Sequence, residues 1–276
     1  MRSCFCCPTG HPISPWRISM LTAAQPFAAK RRPPDRSPSG LRALGEGQVD
    51  IWRMQIPSSL PARMGAVLST DEKERAARCS PQVARAFICA RSALRRVLAG
   101  YVGQPAATLA FHIDEWGKPS LPGPARAIHF NLSHSGNEIV FAISRHIVGI
   151  DIERISPTPP YEIIPLVLAR REQQCLARLP EKERAGFFYA LWCRKEAVTK
   201  AIGRGLDIDL RQIDVSAGVD QGETKASLSI DLKAVHGAWH LHHIAIATGF
   251  AAAVACAEPN CSLAFREFHD QEALAV

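Results

Sequence analysis

The chain has 276 residues, 47% hydrophobic and 21% charged, which suits one large domain or two small ones and excludes wholesale disorder. No apolar run approaches the roughly 18 residues of a membrane helix; the longest, around Ile244 to Val254, has the length of a buried strand. Of the net charge of +7, Arg2, Arg17, Lys30, Arg31 and Arg32 supply five within an acid-free stretch, residues 1–34, leaving +2 on the remainder, so the body suits a small anionic ligand better than a nucleic-acid track.

Residues 1–46 read as a disordered N-terminal extension. "KRRPPDRSPSG" offers nothing apolar to bury, and Pro8, Pro12, Pro15 and Pro26 interrupt any signal-peptide core. Cys4, Cys6 and Cys7 cluster there without a second Cys/His pair at zinc spacing. The nine cysteines are odd in number and the later ones scattered, which points to a reducing cytoplasm rather than a disulfide framework.

Order is expected to begin at "VDIWRMQI", an alternating strand. "STDEKERAARC" reads as a helix capped by Ser69 or Thr70. "ARAFICARSALRRVLAGYVG" is a long amphipathic helix with Phe87, Leu94, Val97 and Leu98 on its apolar stripe, ended by Gly100 or Gly103. "TLAFHIDEWGKPSL" gives a strand and a turn at Gly117–Pro119. Three strands follow, "AIHFNLSHSG", "EIVFAIS" and "VGIDIERI", then a helical stretch over 161–179 and the helix of "ALWCRKEAVTKAIGRGL". "IDVSAG", "KASLSID", "WHLHHIAIA" and "FAAAVACA" are read as strands. The pattern runs helix-then-strands twice, with a seam near Val148. It implies an α+β fold of two similarly built halves, 47–147 and 148–276.

Three segments carry chemistry. In "VGIDIERI", Val148, Ile150 and Ile152 share one strand face and Asp151 and Glu153 the other. That pair reads either as a hard-cation site or as a solvent-facing strand edge. On the following helix, 3.6-residue periodicity puts Trp192, Glu196, Lys200 and Gly203 along one face, flanked by Lys195 and anchored by Leu191, Val198 and Ile202. Glu196 is therefore either a third carboxylate for the cation or half of an exposed Glu–Lys pair. Gly203 and Gly205 end the helix. In "FNLSHSG", Ser133, His134, Ser135 and Gly136 read as a polar turn able to hold a phosphate. A hydrolase triad is disfavoured because serine and histidine are adjacent and no G-x-S-x-G elbow exists.

Together these segments resemble the 4′-phosphopantetheinyl transferases, in particular the large surfactin-synthetase type. Gly149-Ile150-Asp151-Ile152-Glu153 matches the family's G-(I/V)-D-x-E strand. Trp192 to Leu206 matches its W-x-x-K-E-(A/S)-x-x-K-x-x-G-x-G-L helix, and "FNLSHSG" and "WGKPSL" match blocks upstream. The resemblance covers about residues 48–258. It implies two α/β halves related by pseudo-twofold symmetry, with coenzyme A in the cleft between them. It implies transfer of the phosphopantetheine arm to a carrier-protein serine by a monomeric cytoplasmic enzyme that uses Mg²⁺ and needs neither nucleic acid nor membrane. On this resemblance Asp151, Glu153 and Glu196 hold Mg²⁺. Glu196 also serves as base, and Asp151, Glu196 and Lys200 form the catalytic set. Ser133, His134, Lys118, Lys195 and Lys200 contact the nucleotide or pyrophosphate. Arg75, Arg78 and Arg91, with Ser92 as a weaker candidate, stand where the family keeps residues for the 3′-phosphate and adenine. The other classes the residues allow are a Mg²⁺-dependent coenzyme A pyrophosphate hydrolase and a non-catalytic coenzyme A-binding module.

Overall fold

The computed structural model describes residues 41–204, 208–219, 225–232 and 235–269. Gly205 and Leu206 of the helix signature, and the cysteines of the N-terminal extension, lie outside the described residues. Strand β1 (Gln48–Gln55) leads into helices α1 (Ala62–Ala66), α2 (Thr70–Ala77) and α3 (Pro81–Val102). A small hairpin of β2 (His112–Ile113) and β3 (Pro119–Ser120) precedes β4 (His129–Ser135), β5 (Glu138–Ser144) and β6 (Val148–Arg154). Helices α4 (Ile164–Val167), α5 (Arg170–Arg178) and α6 (Glu181–Ile202) come next, then β7 (Lys225–Leu232), β8 (Val235–His243), β9 (Phe250–Cys256) and β10 (Ser262–Glu267).

The fold is α+β, and hydrophobic burial stacks it in four layers. One sheet has the order β10-β1-β5-β4 and the other β6-β9-β8-β7. Val49, Ile51, Val140 and Ala142 of the first sheet meet Ile150, Ile152, Ala252 and Val254 of the second in a core between the sheets. The opposite face of the first sheet, with Trp52, Ile139 and Phe141, packs under Ala90, Leu94 and Leu98 of α3. The opposite face of the second, with Ala251, Ala253 and Ala255, packs under Leu191, Ala197 and Val198 of α6. Strands β5 and β9 are buried on both faces, which explains why "EIVFAIS" and "FAAAVAC" are near-continuously apolar rather than alternating.

Local signals account for the helix ends. Ser69 caps α2, its hydroxyl accepting the Glu72 N–H while the Glu72 carboxylate accepts the Ser69 N–H, a capping box. Gly103 and Gly203 end α3 and α6 with φ of 69° and 88°, the left-handed conformation that favours glycine.

Several expectations need correction. Ordered packing begins before residue 47: Leu44 is in the core under α3, and the Arg42 N–H donates to the Gly100 carbonyl at 2.8 Å. The helical stretch over 161–179 is broken at Leu168–Ala169, where the Glu172 carboxylate accepts the Ala169 N–H at 2.7 Å and restarts the chain as α5. "IDVSAG" is not a strand; after a short turn of 3₁₀ helix at Leu210–Gln212 it runs as irregular chain whose carbonyls accept hydrogen bonds from α6. The last strand, β10, pairs in parallel with β1, so the segment 148–276 contributes a strand to the first sheet.

Candidate active site

The site forms where the two sheets meet edge to edge. Strand β4 ends one sheet and β6 ends the other, and polar side chains of β4 close the gap. Asn131 Oδ1 accepts the Ile150 N–H at 3.0 Å, and Ser135 Oγ accepts the Arg154 N–H at 2.9 Å. Ser133 Oγ donates to Asp151 Oδ1 at 2.8 Å, and Ser135 Oγ to Glu153 Oε2 at 2.9 Å. Residues 131, 133 and 135 thus align with the β6 edge at the strand period of two. The expected polar turn is therefore a strand through Ser135, with only Gly136, at φ 58°, in the left-handed turn conformation.

Helix α6 lies over the other face of β6, and Gly149 permits it. A Cβ at that position would fall inside contact distance of the Ala197 carbonyl oxygen and 2.5 Å from the Ala201 nitrogen. This close crossing brings Glu196 and Lys200, one turn apart, against Asp151 and Glu153. Lys200 Nζ is 2.6 Å from Asp151 Oδ1 and 3.0 Å from Ser133 Oγ. Asp151 is 2% exposed, and its Oδ2, like Glu196 Oε1, is buried without a hydrogen-bond donor.

Electrostatics follow from this crowding. Burial, then the negative charge of Asp151, raises both Glu153 and Glu196 to about 7, against the pull of Lys200. Burial works to lower the Lys200 value, but Asp151, Glu196 and Glu153 outweigh it and the net direction is upward. Burial and nearby Lys200 lower His134, which keeps its imidazole neutral at neutral pH. Among the described residues, no three His, Cys, Asp or Glu side chains stand close enough to hold a metal ion as they are; the Lys200 ammonium lies beside Asp151. The donor chemistry nonetheless fits a hard cation: three carboxylates converge, and two of their oxygens are buried acceptors with nothing to accept.

Other expected site residues are engaged elsewhere. Lys195 does not flank the ligand face. It is fully buried, 2.8 Å from Glu172, and donates to the Leu210 and Ile213 carbonyls. One helical residue turns a side chain by about 100°, which is why Lys195 and Glu196 face different surroundings. Arg91 pairs with Glu72 at 2.7 Å beneath Phe111, and Ser92 is fully buried. Arg78 is exposed and pairs with Glu74, and Arg75 covers the Phe87 ring. Lys118 Nζ donates to the Ala201 carbonyl at 2.6 Å, capping the C-terminus of α6; burial lowers its value to about 8. Sequence reasoning missed the roles of Asn131 and Ser135, although their alternation with Ser133 was a readable signal. It also missed Cys193, buried beneath Asp151 with its thiol raised well above normal by burial and the nearby carboxylates; nothing in its spacing marked it.

The profile of the 4′-phosphopantetheinyl transferase superfamily matches residues 147–255, which span β6, α6 and the second sheet. The 4′-phosphopantetheinyl transferase HetI of Nostoc sp. is 33% identical over 186 residues, covering 65% of this chain and 78% of that protein. Sfp of Bacillus subtilis is 32% identical, with 55% of this chain and 65% of Sfp aligned; gsp of Aneurinibacillus migulanus is 30% identical, with 64% and 73% aligned. The holo-[acyl-carrier-protein] synthase of Thermotoga maritima aligns at a TM-score of 0.28 and 19% identity over 40% of this chain and 62% of its own, a likeness too slight to add to the argument. The chain belongs to the 4′-phosphopantetheinyl transferase superfamily. It is an enzyme of that class, transferring a phosphopantetheine group.

Proposed function

We propose that the chain transfers the 4′-phosphopantetheine arm of coenzyme A to a serine hydroxyl of an acyl or peptidyl carrier protein, releasing adenosine 3′,5′-bisphosphate. The observation that carries the reading is the pair of buried, donorless carboxylate oxygens on Asp151 and Glu196 beside Lys200. Such a site favours positive charge, and a pyrophosphate brought in with a cation supplies it. Asp151, Glu153 and Glu196 are the residues that would hold Mg²⁺. When bound, the ion neutralises pyrophosphate charge and polarises the phosphorus for attack.

The chain's own residues do the rest. Glu196 is the residue that would take the serine proton, directly or through a water. Lys200 moves from its pairing with Asp151 to the charge developing on the departing bisphosphate. Ser133 fixes Asp151 Oδ1 and leaves Oδ2 to the ligand side. His134, next to Lys200, contacts nucleotide phosphate as a neutral donor, and the exposed Arg75 and Arg78 are candidates for the 3′-phosphate end. The enzyme acts as a cytoplasmic monomer, and the six free cysteines among the described residues accord with a reducing compartment.

The test is to incubate the protein with coenzyme A, Mg²⁺ and an apo carrier domain and record the carrier's intact mass. The expected outcome is one phosphopantetheine added per carrier. Free phosphopantetheine beside an unmodified carrier would replace the proposal with hydrolysis, and no product at all with a binding module.

A further inference from the structure

One strand period beyond Ser133, β4 brings a further hydroxyl to the site, and this one is committed in both directions. Ser135 Oγ accepts the Arg154 N–H at 2.9 Å and donates to Glu153 Oε2 at 2.9 Å. Chemistry fixes the order of donation: a backbone N–H can only donate, so the hydroxyl proton is left for the carboxylate. Both bonds fall on the last two residues of β6. The Arg154 side chain braces the same corner. Its guanidinium lies over the Phe250 ring, 5.4 Å from the centroid, and its Nε is 3.2 Å from where a Cβ on Gly136 would fall. Ser133 donates in the same way to Asp151 Oδ1, but Lys200 Nζ shares that oxygen at 2.6 Å. Among the described residues, the Ser135 hydroxyl is the hydrogen-bond donor that Glu153 has.

We propose that Ser135 is a positioning residue for Glu153, holding Oε2 so that Oε1 is left to a divalent cation; this rests on the reading that Asp151, Glu153 and Glu196 hold that cation. A glutamate side chain has three rotatable bonds, and an unheld one must give up rotamer freedom before it can ligate. A hydroxyl that already grips one oxygen removes part of that cost, and it favours the ionised carboxylate a hard cation needs. Hydrogen-bond partners of ligating carboxylates act in this way at metal sites generally. The N–H that Ser135 accepts matters as much as the proton it gives. Because Arg154 directly follows Glu153, the bond to its N–H fixes the β6 backbone at the height of the serine, and the same hydroxyl then reaches the carboxylate. The two bonds together make Ser135 a gauge that sets where Glu153 stands against β4.

The experiment titrates Mn²⁺ into the full-length protein with coenzyme A and no carrier, and reads free Mn²⁺ by electron paramagnetic resonance against coenzyme A alone. Ser135→Ala is expected to weaken Mn²⁺ binding about tenfold, and Ser135→Thr, which keeps the hydroxyl, to restore most of it. In a Glu153→Gln background, adding Ser135→Ala should change the affinity no further, because the partner of the hydroxyl has already been altered. Mn²⁺ binding by Ser135→Ala as tight as wild type overturns the proposal while the cation site stands. A Thr variant as weak as the Ala variant overturns the hydroxyl as its agent. A full further loss in the Glu153→Gln background overturns Glu153 as the group Ser135 acts through, and a purely structural role for the serine predicts that loss. Wild-type protein that binds no Mn²⁺ overturns the cation reading itself, and the proposal with it. Ser135→Cys, a weaker donor, carries the same comparison if the alanine variant does not fold.

Discussion

Lys195 and Lys200 lie five residues apart on α6 and sit in opposite situations. Lys195 is sealed against Glu172, which also accepts the N–H groups of Ala169 and Val215. It ties α5, α6 and the chain after α6 together. Lys195→Met would leave Glu172 buried without its counter-charge, an expected loss of roughly 3–5 kcal/mol in chemical denaturation; a loss under about 1 kcal/mol would show that the pair is not structural. Glu196 is the reverse case, a group the fold destabilises. Its value rises from 4.5 to about 7. A raised carboxyl contributes stability that is full below about pH 4.5 and is lost as pH rises through 7. Glu196→Gln, permanently neutral, is therefore expected to be more stable than wild type in metal-free buffer near pH 8, by on the order of 1–3 kcal/mol, and no different near pH 4.5. The same variant should lose about a hundred- to a thousandfold in turnover. Thermal unfolding at the two pH values is the check, and a Gln variant less stable near pH 8 would refute the crowding argument.

At the scale of elements, the decisive contact is α6 on β6. Alanines on alternate positions of β9 and Gly149 on β6 let the helix approach, and only a close helix lets Lys200 reach Asp151. Gly149→Ala is expected to push α6 away, costing roughly 3 kcal/mol or more and most of the turnover, because the obstructing atoms are helix backbone and cannot rotate aside. A folded Gly149→Ala protein with wild-type turnover would show the crossing to be adjustable. The start of the ordered chain is a second such contact. Deleting residues 1–46 removes the Leu44 side chain from its core and the Arg42 guanidinium from the Trp52 ring. The expected cost is about 1.5–3 kcal/mol relative to a deletion ending at residue 40; equal stability of the two truncations would place Leu44 outside the core.

Over the whole molecule, the first sheet is tied by buried polar groups, both to the strand that returns to it from the C-terminal segment and to helix α3. Arg266 of β10 reaches Asp50 of β1 at 2.7 Å, and Tyr101 of α3 donates to the same carboxylate. β8 brings two imidazoles into the second half. Burial, with Lys225 and His240 nearby, lowers His242 to about 4, and burial with Arg194 lowers His243 to about 4. A group whose folded value is depressed contributes stability that is present above its unfolded value, 6.5, and lost as pH falls through the folded one. Each histidine contributes at most on the order of 3 kcal/mol, so the unfolding midpoint should fall steeply between about pH 6.5 and 4. A His242→Gln/His243→Gln double variant should flatten that fall, and an unaltered acid profile would exclude these histidines as its cause.

The amino-acid sequence alone determined the α+β class, most of the elements and which of Asp151, Glu153, Glu196 and Lys200 share a strand or helix face, because these rest on short-range regularities. Period two put Asp151 and Glu153 on one strand face, period 3.6 put Glu196 and Lys200 one turn apart, and Ser69 or Thr70 ahead of acidic residues announced a helix start. What it left open depended on distance through space. Whether Asp151 and Glu153 were a wet edge or a buried site was decided by α6 crossing at Gly149. Lys195 and Arg91 read as ligand-facing because nothing local tells a charge that meets a phosphate from one that meets a buried glutamate; Glu172 lies 23 residues before Lys195, and Glu72 lies 19 before Arg91. Strand β10 is absent from the strands read from the sequence. Its partner β1 is more than two hundred residues earlier in the chain, and no local pattern encodes which edge a strand will join.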